Sequence, residues 1–177
     1  MNGNQEGFSL IELLIVVAII LIIAAIAIPN LLRSRMAAAQ ASAVGSISTI
    51  NTAAVSYDST YGNGFPPSLA AIGNNGTTSV SCTNAEFIDT VLTNGIKQGY
   101  TFVLTHGVVQ MNSSSSSCSA GYGYADGYII TGTPITVGTT GQTSYCSDAS
   151  DVIRFNPAGA TNAGPAPNCA PTDAPMQ

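Results

Sequence analysis

Side chains spaced for chemistry are few in this sequence, and most candidates reduce to something simpler. His106, the one histidine, precedes Gly107, and nothing near it in sequence marks a catalytic triad. Ser113 to Ser117 form a low-complexity run without the Gly-x-Ser-x-Gly turn that exposes a nucleophile. Ser147-Asp148-Ala149-Ser150-Asp151 could offer oxygens to Ca²⁺, but a calcium loop demands denser Asp/Asn spacing, so these read as solvated loop carboxylates. Tyr122, Tyr124 and Tyr128 read as packing beside a strand. Asn75-Gly76-Thr77 and Asn112-Ser113-Ser114 fit the glycosylation sequon, a frequent chance pattern. Cys82, Cys118, Cys146 and Cys169 include no Cys-x-x-Cys, and a lone histidine cannot complete a zinc set with them. Even in number and widely spaced, they point to two disulfides in an exported chain, with three connectivities open. No catalytic residue, metal site or cofactor is expected.

Glu12 resists that treatment. It lies four residues into an apolar stretch that starts at Phe8, and from Leu13 to Ile28 no polar side chain occurs. A carboxylate near the centre of a spanning helix costs about 3 kcal/mol. Residues 8–28 would make about 31 Å of helix, against a hydrocarbon core of about 30 Å. Ala25-Ile26-Ala27 has the form of a signal-peptidase site, but the run is long for a signal peptide and Asn-Gln-Glu precedes it where basic residues belong. As a permanent single-span anchor, the segment carries Arg33 and Arg35 after the span and no basic residue before it. Charge bias alone would then put the C-terminal part in the cytoplasm, where four cysteines fit poorly.

Residues 7–20, Gly-Phe-Ser-Leu-Ile-Glu-Leu-Leu-Ile-Val-Val-Ala-Ile-Ile, closely resemble the class III signal of type IV prepilins and pseudopilins. The resemblance implies cleavage after Gly7 by a prepilin peptidase and methylation of Phe8 as the new N-terminus. The apolar helix stays on the mature protein. Glu12 becomes fifth from the end, and Pro29 resembles the family's helix-kinking proline. The leader departs from many relatives, ending Gln5-Glu6 in place of basic residues. Cleavage would create an α-amine on Phe8, one helical turn from Glu12. The carboxylate could pair with that amine or with a neighbour's, and such a pair fixes register because a wrong offset strands a buried charge. The resemblance also favours the pairing Cys82–Cys118 and Cys146–Cys169, since relatives close a C-terminal loop with a bridge.

The elements that carry these residues follow from periodicity. Met36, Ala43, Val44, Ile47, Ile50 and Ala54 recur at helical steps, with Ser42, Ser46, Thr49 and Asn51 between them. Helix is expected over residues 8–57, about 75 Å long, with Pro29 kinking or loosening it. Gly62-Asn63-Gly64 and Pro66-Pro67 end it. Residues 68–72 suggest one short turn. Thr83-Asn84-Ala85-Glu86 has capping-box spacing and predicts a second helix through Phe87, Ile88, Val91 and Leu92, closed by Asn94-Gly95. Strands are expected at residues 100–105, 124–131 and 151–155, three or four in all, antiparallel across the exposed half of the long helix. Residues 128–134 and 144–154 are similar to sheet segments of type IV pilin heads, and Phe65-Pro66-Pro67-Ser68-Leu69 adds to that likeness. Residues 112–119 read as a solvated Ser-rich loop, and residues 157–177 as a Pro/Ala/Asn-rich tail held by Cys169.

Charged residues are only 7% of the chain and the net charge is −5, so no basic stripe exists for nucleic acid. The expected fold is α+β: a long N-terminal helix against a small antiparallel sheet. Residues 1–7 would be leader, 8–29 the transmembrane and filament-core half of the helix, 30–60 its amphipathic half, and 61–177 the head. The resemblance implies a non-enzymatic filament subunit that waits in the bacterial inner membrane and then homopolymerises. Its partners would be other pilin subunits, prepilin peptidase, the pilus assembly machinery and, before assembly, membrane lipid. The rivals are a pseudopilin of type II secretion and a single-span anchored extracytoplasmic binding protein.

Overall fold

The computed structural model describes residues 9–74, 76, 79–111, 118, 122–159, 168–170 and 173–176. Two compact units divide the chain, Met1–Arg35 and Met36–Gln177. Helix α1, Leu10–Tyr61, begins in the first and continues into the second. It passes through Pro29 without an assigned break. In the first unit its large apolar side chains are exposed throughout, from 45% at Val17 to 79% at Leu10.

Within the second unit α1 is amphipathic. Ala43, Ile47, Ile50, Ala54, Tyr57 and Tyr61 follow one another at steps of four and three, and all are buried. The helix ends at Gly62, whose left-handed backbone (φ 61°) lets its N–H reach the Asp58 carbonyl at 2.8 Å. The Asp58 side chain accepts the Gly64 N–H, closing the turn (3.1 Å). This adds one turn beyond the residue 57 limit expected from periodicity. A single turn, α2 (Leu69–Ile72), follows as expected.

The capping box expected at Thr83-Asn84-Ala85-Glu86 does not form. Ser81 and Asn84 exchange backbone hydrogen bonds in a tight turn, and Glu86 takes a left-handed φ of 57°. The N–H groups of Ala85, Phe87 and Ile88 bond to carbonyls of Ala71 and Ile72, so tertiary contacts use the donors that a helix would need. The second helix shrinks to α3 (Thr90–Thr93), capped by Asp89, whose Oδ1 accepts the Leu92 N–H at 2.6 Å.

Among the described residues six strands form one antiparallel sheet in chain order: β1 Ile96–Lys97, β2 Tyr100–His106, β3 Tyr128–Pro134, β4 Ser144–Asp148, β5 Arg154–Asn156 and β6 Ala174–Pro175. Three or four were expected. The extra strands, β1 and β6, are two residues each, too short to carry a pattern of their own. The strand expected from residue 124 starts at Tyr128, because Tyr124 pairs with Phe65 and Gln110 instead. The one expected at residues 151–155 starts at Arg154, since Asp151 turns back with φ 61°. Alternation along β2 and β3 puts Tyr100, Phe102, Leu104, Tyr128 and Ile130 into the core with Ile47, Ile50 and Tyr57. Ile129 packs on the opposite face with Cys146 and Cys169. At Gly132 the sheet lies close against α1: a Cβ there would lie 3.1 Å from Ile47 Cδ1 and 3.2 Å from Phe102 Cε1.

Candidate functional site

At the start of α1, Glu12 closes a local hydrogen bond with the backbone. Its Oε2 accepts the backbone N–H of Ser9 at 3.0 Å, while the Ser9 carbonyl accepts the N–H groups of Glu12 and Leu13. This is the reciprocal half of a capping box, Ser-x-x-Glu in front of an apolar run. A carboxylate also suits the positive end of the helix dipole. Local bonding therefore explains how an apolar helix tolerates Glu12, which is exposed in the monomer. Gly7 and Phe8, the residues on either side of the expected cut, lie outside the described residues. Pro29 sits inside α1 and lacks an N–H, so it removes one helix hydrogen bond. One turn later Ser34 Oγ donates to the Asn30 carbonyl at 3.0 Å.

The exposed apolar surface of residues 10–32 has no protein cover in the monomer. A helix of this kind is long and apolar enough to cross a membrane. It calls for lipid or other helices around it.

In the second unit the cysteines pair at disulfide distance, Cys82 with Cys118 and Cys146 with Cys169, with Cα separations of 5.6 and 5.9 Å. Each bridge is tied to the scaffold. Tyr57 of α1 donates its hydroxyl to the Cys82 carbonyl at 2.8 Å, and burial raises its pKa, with Tyr122 and Tyr61 adding to the effect. Cys169 donates its N–H to Asp148 Oδ2 at 3.2 Å. Burial pushes the Asp148 carboxyl up, but hydrogen bonds from Ser150 and Cys169 and the charge of Arg154 outweigh it and hold the pKa below 3.8. Asp173 is the counterexample: it is 5% exposed, its Oδ2 has no hydrogen-bond partner among the described residues, and burial outweighs Arg154 to raise its pKa.

The carboxylates weighed as calcium ligands have other occupations. Asp148 Oδ1 accepts the Ser150 N–H and hydroxyl, and Asp151 Oδ1 accepts from Asn51 Nδ2 at 2.6 Å. Asn51 is a functional residue of the scaffold that periodicity did not single out. It is 1% exposed, its second Nδ2 donor goes to Ser147 Oγ at 2.8 Å, and its Oδ1 accepts the Tyr128 hydroxyl at 3.2 Å. One amide thus joins α1 to β3, β4 and the turn after β4. Tyr128 is core rather than surface, with its pKa raised by burial and further by Asp151 and Asp148. His106 stacks on Tyr124 with ring centroids 3.7 Å apart. Among the described residues no three His, Cys, Asp or Glu side chains come together as a metal site. Thr49, Thr52 and Ser56, which line a groove on α1 beside Phe87, turn their hydroxyls back onto carbonyls of their own helix.

Residues 2–28 match the family described as the prokaryotic N-terminal methylation motif. Over 32 residues the chain is 69% identical to the type IV wide pilus major component of Thermus thermophilus, a stretch that covers 18% of this chain and 24% of that protein. The match thus spans about a quarter of the relative's length. No solved structure matches the chain.

Proposed function

From the premise of an N-terminal segment of the type IV pilin family, we propose that the chain is a structural subunit of a type IV pilus-like filament. Residues 1–7 are the leader, removed by prepilin peptidase after Gly7, and Phe8 becomes the methylated N-terminus. Residues 8–29 hold the subunit in the bacterial inner membrane, N-terminus cytoplasmic and head periplasmic, until the assembly machinery transfers it to the fibre. There residues 8–29 form the core, residues 30–60 link it to the head, and residues 61–177 cover the outside. Contacts repeat head to tail without closing, as a fibre requires. The role is structural, with no reaction to catalyse. The two cysteine pairs favour a fibre exposed outside the cell, where a covalently tied head is an advantage.

One observation carries this reading: the Gly7-Phe8 motif with Glu12 stands directly before an apolar helix that the monomer leaves uncovered. In the mature chain, Glu12 would exchange or share its Ser9 contact with the Phe8 amine of its own or a neighbouring subunit, setting the axial offset. The test compares wild type, Glu12→Ala and Glu12→Asp for processed subunit in membranes and for fibre yield. Mass spectrometry should find methylated Phe8 at the N-terminus of all three. Fibres should be scarce or absent for Glu12→Ala and intermediate for Glu12→Asp. An intact Met1, or a mature chain starting at Ile28, refutes the processing. Normal fibres from Glu12→Ala refute the role of the carboxylate.

A further inference from the structure

The chain has four basic residues, and among the described residues two are engaged with its own carboxylates. Lys97 pairs with Asp89 at 3.3 Å, and the charge of Arg154 acts on Asp148 and Asp173. Arg33 and Arg35 are exposed, and among the described residues neither guanidinium has a carboxylate partner. Resting on the membrane-anchored reading above, we infer that these two arginines bind the headgroup phosphates of anionic phospholipid at the distal boundary of the apolar segment. Residues 8–29 would make about 33 Å of helix, slightly more than the hydrocarbon thickness of about 30 Å, so Arg33, about 6 Å further on, falls in the headgroup layer. Residues two apart on a helix do not share a face, so the pair reaches phosphates on two sides of it. The guanidinium fork matches two phosphate oxygens at once. Ser34, between them, spends its hydroxyl on the Asn30 carbonyl and does not compete.

A second copy of the chain is the rival source of anions, and it offers little. In residues 36–177, Asp58, Glu86, Asp89, Asp126, Asp148 and Asp151 each accept hydrogen bonds within their own chain, and Asp173 is buried. Phosphates at the bilayer surface are free of such commitments. The contact also resolves the charge bias: both arginines follow the span, against the usual rule, and anionic headgroups of that leaflet supply the counter-charge.

The experiment reconstitutes the full chain, with ¹⁵N-labelled arginine, into vesicles of equimolar phosphatidylglycerol and phosphatidylcholine. Solid-state NMR then reads dephasing of the guanidinium nitrogens by ³¹P, and spin-labelled lipids report which headgroups surround the helix. Arg33 and Arg35 should dephase and Arg154 should not. Phosphatidylglycerol should be enriched around the helix about fivefold per arginine, falling to near parity in R33Q/R35Q. A spanning helix whose arginines show no ³¹P contact overturns the inference and leaves the anchored reading standing. Dephasing by ¹³C-labelled Asp or Glu carboxylates in place of phosphorus overturns it in favour of a second copy. A helix that stays outside the bilayer overturns both.

Discussion

Replacing Asn51 by leucine isolates what one buried amide contributes to joining helix and sheet. The Tyr128 hydroxyl, 1% exposed, would lose its acceptor, and an orphaned buried donor costs about 2 kcal/mol. Asp151 would lose a 2.6 Å bond, but its side chain is exposed and water replaces the donor, so about 1 kcal/mol is the larger part of that loss. Ser147 keeps the Val152 carbonyl as an acceptor at 3.3 Å and adds little. The expected total is about 3 kcal/mol, which at an m-value of about 2 kcal/mol/M lowers the urea midpoint by about 1.5 M. The assay is urea unfolding of the detergent-solubilised chain followed by tyrosine fluorescence. Asn51→Leu combined with Tyr128→Phe removes the orphan and should recover between about 1 and 2 kcal/mol relative to the single variant. A single variant within about 0.5 kcal/mol of wild type, the range of neutral surface changes, would refute the assignment. So would a double variant no more stable than Asn51→Leu.

Serine at both Cys146 and Cys169 should cost about 3 kcal/mol, since the bridge spans a sequence separation of 23. Unfolding measurements read the loss, and a non-reducing peptide map of wild type should link those two residues. Gly132→Val should be destabilising by about 2 kcal/mol, because its Cβ would press on Ile47 and Phe102; a neutral result would mean that α1 can move away from the sheet freely. In acid, the lowered pKa of Asp148 makes its contribution complete above the unfolded value of 3.8 and lost as pH falls through the lower folded value. A pH series of unfolding midpoints should therefore turn down below about pH 4, and Asp148→Asn should flatten that part of the curve. An unchanged slope in the variant would rule Asp148 out as its source.

The parts of the fold legible in the sequence are those whose pattern is long enough to average over. Helix α1 is 52 residues of apolar run and then amphipathic steps, and the periodicity predicts it except at its ends, where it starts at Leu10 and runs one turn past residue 57. β2 and β3 are seven residues each and alternate, so their existence was plain even where β3 began four residues late. β1 and β6, of two residues each, exist because neighbours pair with them, and β5, expected at residues 151–155, is cut to three residues by the turn at Asp151. Asn51 was legible in principle. Ile47, Asn51 and Ala54 are separated by four and three, which puts the amide on the apolar face, yet residue type led it to be grouped with the polar ones. A polar side chain at a core position needs buried partners, and the sequence does not say which distant strands will supply them.

The two Ser/Thr-x-x-Glu boxes make the same point about the functional segment. Both have the right residues at the right spacing before an apolar stretch, and only Ser9–Glu12 forms the bond. At Thr83–Glu86 the N–H groups of Ala85 and Glu86 go to the carbonyls of Ala71 and Gly73, at the end of α2 and out of reach of any local rule. At Ser9, where the described side chains nearby are exposed, no tertiary carbonyl competes among the described residues. The capping rule therefore holds where the chain is left to itself and fails where the fold has prior use for the same N–H groups. That isolation also matters for assembly. A carboxylate held, among the described residues, by one exposed backbone N–H is free to exchange that bond for a stronger, charged one, whereas Asp148 or Asp151 could do so only by loosening the head. Glu12 is thus only lightly committed to its own chain, as the assembly role proposed for it requires.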